Sequence, residues 1–184
     1  MSKDSLLKAP NPEQLSVELR TADDPLTRRR RHVVWLSLVS ATCMGVVAAY
    51  QIGLLKHVPE PPLPLLDADK VDASPQAYEK LYTGDAFLGF VSYGATMLLA
   101  AIGGSHRHQT YPYVPVALAA KTAVDALQAA KLTVDQWVRH RAFCSWCLTA
   151  AASTFAVIPV VLPELRAALR AIQENRARTA SAQV

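Results

Sequence analysis

One uncharged stretch constrains the fold of this chain more than any other feature. Residues 33–55 (VVWLSLVSATCMGVVAAYQIGLL) contain no Asp, Glu, Lys, Arg or His. As an α-helix rising about 1.5 Å per residue, this stretch covers the roughly 30 Å hydrocarbon core of a bilayer. A helix inside a soluble protein is seldom uniformly apolar over that length. We therefore predict a membrane-spanning helix over residues 33–55.

Three further segments complete a set of four predicted spans. Residues 86–104 and 142–162 are also uncharged. Residues 113–130 are apolar apart from three polar residues, among them Lys121 and Asp125. Because this segment must connect two clear spans, we interpret it as a third span with a polar face. Charged residues make up only 18% of the chain, against about 25% in soluble domains. The predicted fold is all-α, an integral membrane four-helix bundle.

Basic residues indicate the orientation of these spans, because cytoplasmic segments are rich in Arg and Lys. Residues 28–31 are all Arg, Arg107 separates the second and third spans, and four more arginines follow the fourth. We predict that both termini are cytoplasmic, that the membrane is the cell inner (plasma) membrane, and that the loop of residues 56–85 lies outside. The basic segments lack interleaved aromatic residues, which favours contact with membrane lipid over nucleic acid.

The remaining segments flank or connect the spans. Residues 1–32 are predicted to be a flexible basic cytoplasmic tail, and residues 163–184 a cytoplasmic amphipathic helix or tail. Within the outer loop, Ser74 followed by Pro75 has the pattern of an N-cap and a first-turn proline. This pattern predicts a short helix as far as about Tyr82.

Two of the three cysteines form a Cys-Ser-Trp-Cys motif, Cys144 and Cys147, at the outer end of the fourth span. Residues three apart share a helix face, and such a pair near a helix N-terminus can cycle between dithiol and disulfide. The outer side of the membrane permits disulfide chemistry. Two unrelated small buried residues are the alternative. We predict no metal site, since zinc takes four ligands and the sequence has no second cysteine pair. Cys43, in the middle of the first span, is interpreted as a packing residue.

The four spans, the outer first loop and the C-x-x-C motif together resemble the vitamin K epoxide reductase family. Its members commonly show Cys-Asp-x-Val, then Ser and an aromatic residue, then a glycine-bearing entry to the second span. This chain reads ADKVDASPQAY over residues 68–78, followed by Gly84 and Gly89. The resemblance covers roughly residues 33–162. Ala68 stands at the expected loop-cysteine position, and residues 56–85 contain no cysteine. The chain thus resembles a divergent bacterial-type member that lacks the loop cysteine pair.

The resemblance implies a membrane thiol-disulfide/quinone oxidoreductase that uses a C-x-x-C pair and a quinone held among the four helices. Carried over by position, Cys144 and Cys147 match the active pair and Ser74 matches the loop serine. The side chains assigned to the quinone are Trp146, Tyr93 and Phe87. Trp146 has a second interpretation as an anchor at the membrane interface.

Helix geometry predicts different roles for the two cysteines. Cys147 lies deeper and would face the quinone, whereas Cys144 would lie nearer the aqueous rim. There it would accept attack by an extracytoplasmic dithiol or thioredoxin-like partner. Lys121 and Asp125, four residues apart in the third span, are predicted to form a buried ion pair that fixes helix packing. A proton route for quinone reduction is the alternative for that pair.

Two functions therefore stay open. The first is the thiol–quinone oxidoreductase just described, which the cysteine pair favours. The second is a non-enzymatic structural or quinone-holding subunit of a larger membrane protein complex. The cysteine-free loop favours this second function, because the internal relay between partner and active pair is missing.

Overall fold

The computed structural model describes residues 11–79 and 82–181, and within these residues the chain is helical. Its α-helices are α1 (Pro12–Thr21), α2 (Pro25–Gln51), α3 (Ala68–Asp72), α4 (Asp85–Ala101), α5 (Arg107–Thr110), α6 (Tyr113–Asp135) and α7 (Ser145–Ser181). A 3₁₀ turn occupies Pro75–Tyr78, and a π-helical turn, Gln136–His140, follows α6. The described residues contain one isolated β-bridge, between Leu66 and Phe143. The predicted all-helical class is confirmed for this part of the chain.

Four long helices form the body of the protein. α2 packs against both α4 and α7, α7 packs against α6, and α4 and α6 also touch. Each predicted span overlaps one of these four helices, with different ends. By length and composition, α2 and α7 are able to cross a membrane, and α4 is apolar but shorter. That all four helices cross a membrane as one bundle stays a prediction.

Local sequence explains why α2 begins well before the predicted span. Asp24 caps the helix, since its Oδ1 accepts hydrogen bonds from the backbone N–H groups of Leu26 (2.9 Å) and Thr27 (3.2 Å). Pro25 then occupies the first helical position, where its missing N–H costs nothing. Asn11 and Pro12 repeat the same pattern at the start of α1.

Helix α1 corrects the prediction that residues 1–32 are a flexible tail. Glu18 of α1 accepts hydrogen bonds from both the backbone N–H (2.8 Å) and the hydroxyl of Ser105. The hydroxyl bond in particular lowers the pKa of the Glu18 carboxyl. Arg31 donates to two carbonyl oxygens at the C-terminal end of α1, at 2.9 and 2.8 Å. These bonds dock the helix onto the body; residues 1–10 of the predicted tail lie outside the described residues.

Helix α7 is continuous across the predicted boundary between the fourth span, which ends at residue 162, and the segment of residues 163–184. It runs through Pro159 and Pro163 as far as Ser181. Glu164, just after the second proline, turns inward and forms a two-pronged ion pair with Arg107, at 2.7 and 2.8 Å. This buried pair holds the helix against the body and offsets the hydrogen bonds that the prolines remove.

Two of the arginines used to predict orientation are buried by protein. The side chain of Arg107 also donates to the carbonyl oxygens of Leu99, Ala100 and Ile102, which closes the C-terminal end of α4. Arg30 donates to the carbonyl oxygen of Gly103 at 3.1 Å. Both arginines are almost fully buried. Their charges are therefore satisfied within the fold, and they are not available to lipid headgroups.

The outer loop returns to the body through close contacts. The turn that begins at Pro75 ends at Tyr78 rather than near Tyr82, because the Tyr78 hydroxyl donates to the carbonyl oxygen of Gln51 at the end of α2 (3.1 Å). Residues 80–81 of the predicted helix lie outside the described residues.

A Cβ added at Gly84 would collide with the Gln51 side chain, and one at Gly89 would lie 3.2 Å from Met44. These two glycines let α4 start directly against α2.

Candidate functional site

The two cysteines lie where an extended segment enters α7. Cys144 immediately precedes the helix, and its Sγ accepts a hydrogen bond from the backbone N–H of Cys147 at 3.2 Å. The sulfur thus occupies the place of the oxygen that usually caps a helix N-terminus. The Gln136 side chain holds the same segment, since its Oε1 accepts from the backbone N–H of Cys144 at 3.1 Å. The motif is fixed with both sulfurs on one side of the helix start.

The two sulfurs differ in access, and the difference corrects the predicted roles. Cys144 is 0% exposed and belongs to a hydrophobic cluster with Ala68, Val58 and Val47. Cys147 is only partly buried. Cys144 therefore does not lie at an aqueous rim. The sequence spacing could not reveal this because the loop that covers Cys144 is distant in the chain.

A clasp made by Glu60 and the Leu66–Phe143 bridge holds the outer loop over Cys144. The bridge contains two backbone hydrogen bonds, from Phe143 to Leu65 (2.7 Å) and from Asp67 to Phe143 (3.0 Å). The Glu60 carboxylate accepts from the backbone N–H of Ala68 (2.5 Å) on one side. On the other side it accepts from the backbone N–H and hydroxyl of Ser145, at 3.3 and 3.1 Å. This clasp is why Ala68 ends up beside Cys144.

Asp72, at the end of α3, is the site residue that the sequence analysis missed. It is 5% exposed, and the Cys147 Sγ donates to its Oδ1 at 3.6 Å. Its Oδ2 is buried with no hydrogen-bond partner among the described residues. Burial raises the pKa of this carboxyl to about 7, even though the two thiols act in the opposite direction. The available signal was an acidic residue inside the loop segment of the family motif, two residues before Ser74.

Asp72, Cys144 and Cys147 form a compact group whose donor atoms all lie within 4.8 Å of one another. Tetrahedral zinc takes four protein ligands in structural sites. This trio supplies three, and among the described residues no further Cys, His, Asp or Glu joins it. The three residues form a thiol–carboxylate cluster.

A cavity of about 330 Å³ opens beside this cluster. Its wall is apolar where α2, α4, α6 and α7 face one another, and polar or charged side chains line the rest. The polar lining includes Asp72, Ser74, Tyr93 and Asp125, and Cys147 contributes to the same wall. A small apolar cavity with a few convergent polar groups is the usual form of a site for a small molecule.

The ion pair of the third span lies against this cavity. Lys121 Nζ and Asp125 Oδ2 are 2.5 Å apart, with side chains 21% and 14% exposed. Ser92 of α4 links the two, because its hydroxyl donates to Asp125 (3.1 Å) and both its hydroxyl and carbonyl oxygens accept from Lys121 (2.8 and 2.7 Å). The pair thus joins α6 to α4 and lies beside the same space as Cys147.

The structure brings only some of the predicted site residues to the cavity, namely the loop serine Ser74 and, of the three side chains assigned to the quinone, Tyr93. Ser74 and Tyr93 line it, and the Tyr93 hydroxyl shares a hydrogen bond with Thr154 at 2.8 Å. Phe87 is 49% exposed on α4, outside the cavity wall. Trp146 also lies outside that wall, and its Nε1 donates to the carbonyl oxygen of Pro59 at 2.6 Å. Its position is that of a residue holding the outer loop.

Comparison with known proteins identifies the family of this chain. The model of the vitamin K epoxide reductase family matches residues 31–162, which is most of the chain. The chain therefore belongs to this family, and the predicted resemblance is confirmed. Membership places it among membrane thiol–disulfide oxidoreductases whose members are generally associated with quinones. No curated protein and no solved structure gives a match to the chain.

Proposed function

We propose that this chain is a membrane dithiol–quinone oxidoreductase whose redox pair is Cys144 and Cys147. The observation that carries the proposal is that Cys147 lines an apolar cavity while its sulfur lies in one cluster with that of Cys144. A redox pair needs one sulfur that meets the substrate and a second that closes the disulfide. The different access of the two cysteines supports this division of roles.

The cavity fits a quinone headgroup. Its volume lies at the small end of the roughly 300–1,000 Å³ of ligand pockets, which is suited to a ring rather than a long tail. Ser74 and Tyr93 offer hydroxyl groups at the wall. When bound, a quinone accepts two electrons and two protons and leaves as the quinol. Two S–H bonds break in the pair, one Cys144–Cys147 S–S bond forms, and the electrons and protons balance.

Reduction of the resulting disulfide requires an external thiol, because Ala68 replaces the loop cysteine. The clasp seals Cys144, whereas the cavity that exposes Cys147 also reaches the exposed side chains of Lys131 and Arg139. We propose that an extracytoplasmic dithiol, free or on a thioredoxin-like partner, attacks Cys147 through this opening. It then resolves its own mixed disulfide with its second thiol.

We further propose that the four long helices cross the inner membrane with both termini in the cytoplasm. The excess of arginine near the termini supports this orientation. The outer loop and the cysteine pair would then share the side of the membrane where disulfides form.

Turnover by the purified protein in detergent tests the proposal. A small dithiol and a short-chain quinone are supplied together, and quinol is followed by its absorbance. Cys147→Ser should fall to the rate of dithiol and quinone alone, while Cys43→Ser, a matched change in a buried α2 cysteine, should keep the wild-type rate. Equal rates in wild type and Cys147→Ser would reject the enzyme.

The second candidate function is a non-enzymatic structural or quinone-holding subunit of a larger membrane complex. The complete burial of Cys144 under a loop without cysteine is the observation that favours it. This candidate predicts quinone binding without turnover in wild type, and unchanged binding in a Cys144→Ser, Cys147→Ser double variant.

A further inference from the structure

We propose that Asp72 is a catalytic residue that accepts the proton of the Cys147 thiol as the cysteine pair is oxidised. This inference rests on the proposed function and assigns the proton transfer within it. The geometry points to Asp72 because its carboxylate is the acidic group in hydrogen-bond contact with the sulfur that faces the cavity, with Oδ1 at 3.6 Å from Sγ.

The buried position of Asp72 lowers the stability of the fold. The residue is only 5% exposed, yet Oδ2 has no hydrogen-bond partner in the described part of the chain. A buried carboxylate without a partner destabilises a fold unless it is protonated or paired. Asp72 also lines the cavity. An unsatisfied polar atom of this kind, beside both the Cys147 thiol and a substrate-sized space, indicates a functional role.

The charged groups around Asp72 favour proton exchange over permanent ionisation. The acids that act on it are Asp85 at the start of α4 and Glu60 of the outer loop, and the thiols are those of Cys144 and Cys147. Asp125 of α6 also lines the cavity and is paired with Lys121. The other titratable or charged groups in the cavity lining are Glu79, Tyr93, Lys131, Asp135, Arg139 and His140. Burial and the neighbouring acids together place the pKa of Asp72 at about 7. A general base is most effective when its pKa lies near the working pH.

The proposed step balances. Asp72 takes the proton from the Cys147 S–H group, which leaves a thiolate, and holds that proton at the cavity wall, where quinol formation consumes it. The second proton comes from the Cys144 S–H group. The electron pair leaves the two sulfurs as the S–S bond forms, and one quinone is reduced to one quinol.

Two measurements on Asp72→Asn test this role, and the proposal predicts opposite changes in them. Removing the negative charge favours the thiolate, so iodoacetamide should alkylate Cys147 faster and with a pH midpoint at lower pH. Removing the proton acceptor should slow the oxidation of the reduced pair by quinone, by roughly a hundredfold. A disturbed fold would also expose the Cys147 thiol and speed its alkylation, so the shape of the pH–rate profile for oxidation, which a purely structural change would leave as in wild type, decides between the two roles.

The alkylation measurement uses a Cys43→Ser, Cys144→Ser background, which leaves Cys147 as the only thiol. The oxidation measurement uses the full-length reduced protein, mixed once with a short-chain quinone at a series of pH values on both sides of the Asp72 pKa. Asp67→Asn is the matched control, since Asp67 lies in the same loop, is exposed, and caps α3 through a bond that Asn also makes. Wild type and this control should show a rate that rises with pH and levels off above about pH 7.

The outcomes distinguish the two proposals. Loss of the pH-dependent rise in Asp72→Asn, with partial recovery in Asp72→Glu, supports the role of Asp72. If Cys147→Ser abolishes quinone reduction but Asp72→Asn retains the wild-type pH profile, the role of Asp72 is wrong and the enzyme stands. An unchanged pH midpoint for Cys147 alkylation in Asp72→Asn also overturns the proposed role of Asp72. If Cys147→Ser reduces quinone as wild type does, the proposed function itself fails.

Discussion

Phe143 pairs with Leu66 in a short parallel bridge, and this contact fixes the outer loop to the residue that precedes Cys144. Phe143 donates to Leu65 and accepts from Asp67, so the loop is held on both sides of the bridge. The consequence is that the family's loop-cysteine position, Ala68, is buried in the same cluster as Cys144.

Glu60 should control access to Cys144, because its carboxylate connects Ala68 to Ser145. We expect Glu60→Ala to loosen the loop and to raise the rate at which a maleimide labels Cys144, measured in a Cys43→Ser, Cys147→Ser background. The rate should rise about tenfold for each roughly 1.4 kcal/mol by which the variant lowers the free energy of opening the loop. Glu13→Ala, which removes an exposed glutamate of α1, is the control. Equal labelling of Glu60→Ala and this control would show that the clasp does not limit access.

The Lys121–Asp125 pair should stabilise the packing of α6 on α4. Asp125→Asn leaves Lys121 without its counter-charge, and we expect it to lower the free energy of unfolding by about 3 kcal/mol. The double variant Lys121→Met, Asp125→Leu should recover much of that loss, because apolar side chains of similar volume often replace a buried ion pair without cost. Thermal unfolding in detergent measures both. A single variant as stable as wild type would mean that the pair contributes nothing to packing.

Asp72 should make stability fall as pH rises. Its pKa is about 7 in the folded protein and 3.8 when unperturbed. Between these values the unfolded chain releases the proton while the folded chain keeps it, so the folded state loses up to about 4 kcal/mol over this window. The midpoint temperature of unfolding is measured against pH for wild type and for Asp72→Asn. Across this window the wild-type curve should fall relative to the Asp72→Asn curve, and above it the two curves should run parallel. Curves that are parallel at every pH would show that folding does not raise the pKa of Asp72.

The orientation predicts which sites an impermeant thiol reagent reaches on whole cells. In a chain without native cysteines, Lys70→Cys in the outer loop should be labelled, and Arg178→Cys near the end of α7 should be labelled only after permeabilisation. Both residues are exposed, so access to protein surface is matched. The reverse pattern would place the cysteine pair in the cytoplasm and remove the argument for an extracytoplasmic reductant.

Patterns that are local in sequence predicted much of this fold. Uncharged runs located three of the four long helices, and the spacing of Cys144 and Cys147 placed both sulfurs on one side of the start of α7. The docking of α1 was missed because Glu18 meets its partner Ser105 far along the chain. The continuation of α7 past Pro163 likewise depends on Arg107, a long-range partner of Glu164.

The candidate site was predicted only in part for the same reason. Ser74 and Tyr93 reach the cavity, but Trp146 contacts Pro59, since the loop folds back over the start of α7. Asp72 looked like one of several loop acids until α3 brought it to the cysteine pair. Burial of that kind depends on tertiary packing, which local pattern does not encode.

The most direct test of the central claim is a single turnover without added dithiol. Protein reduced beforehand and freed of reductant is mixed with excess short-chain quinone, and quinol and protein thiols are counted. The account predicts one quinol per chain, the loss of two thiols, and a disulfide that mass spectrometry places between Cys144 and Cys147. Wild type that forms no quinol, or Cys147→Ser that forms as much as wild type, would contradict it.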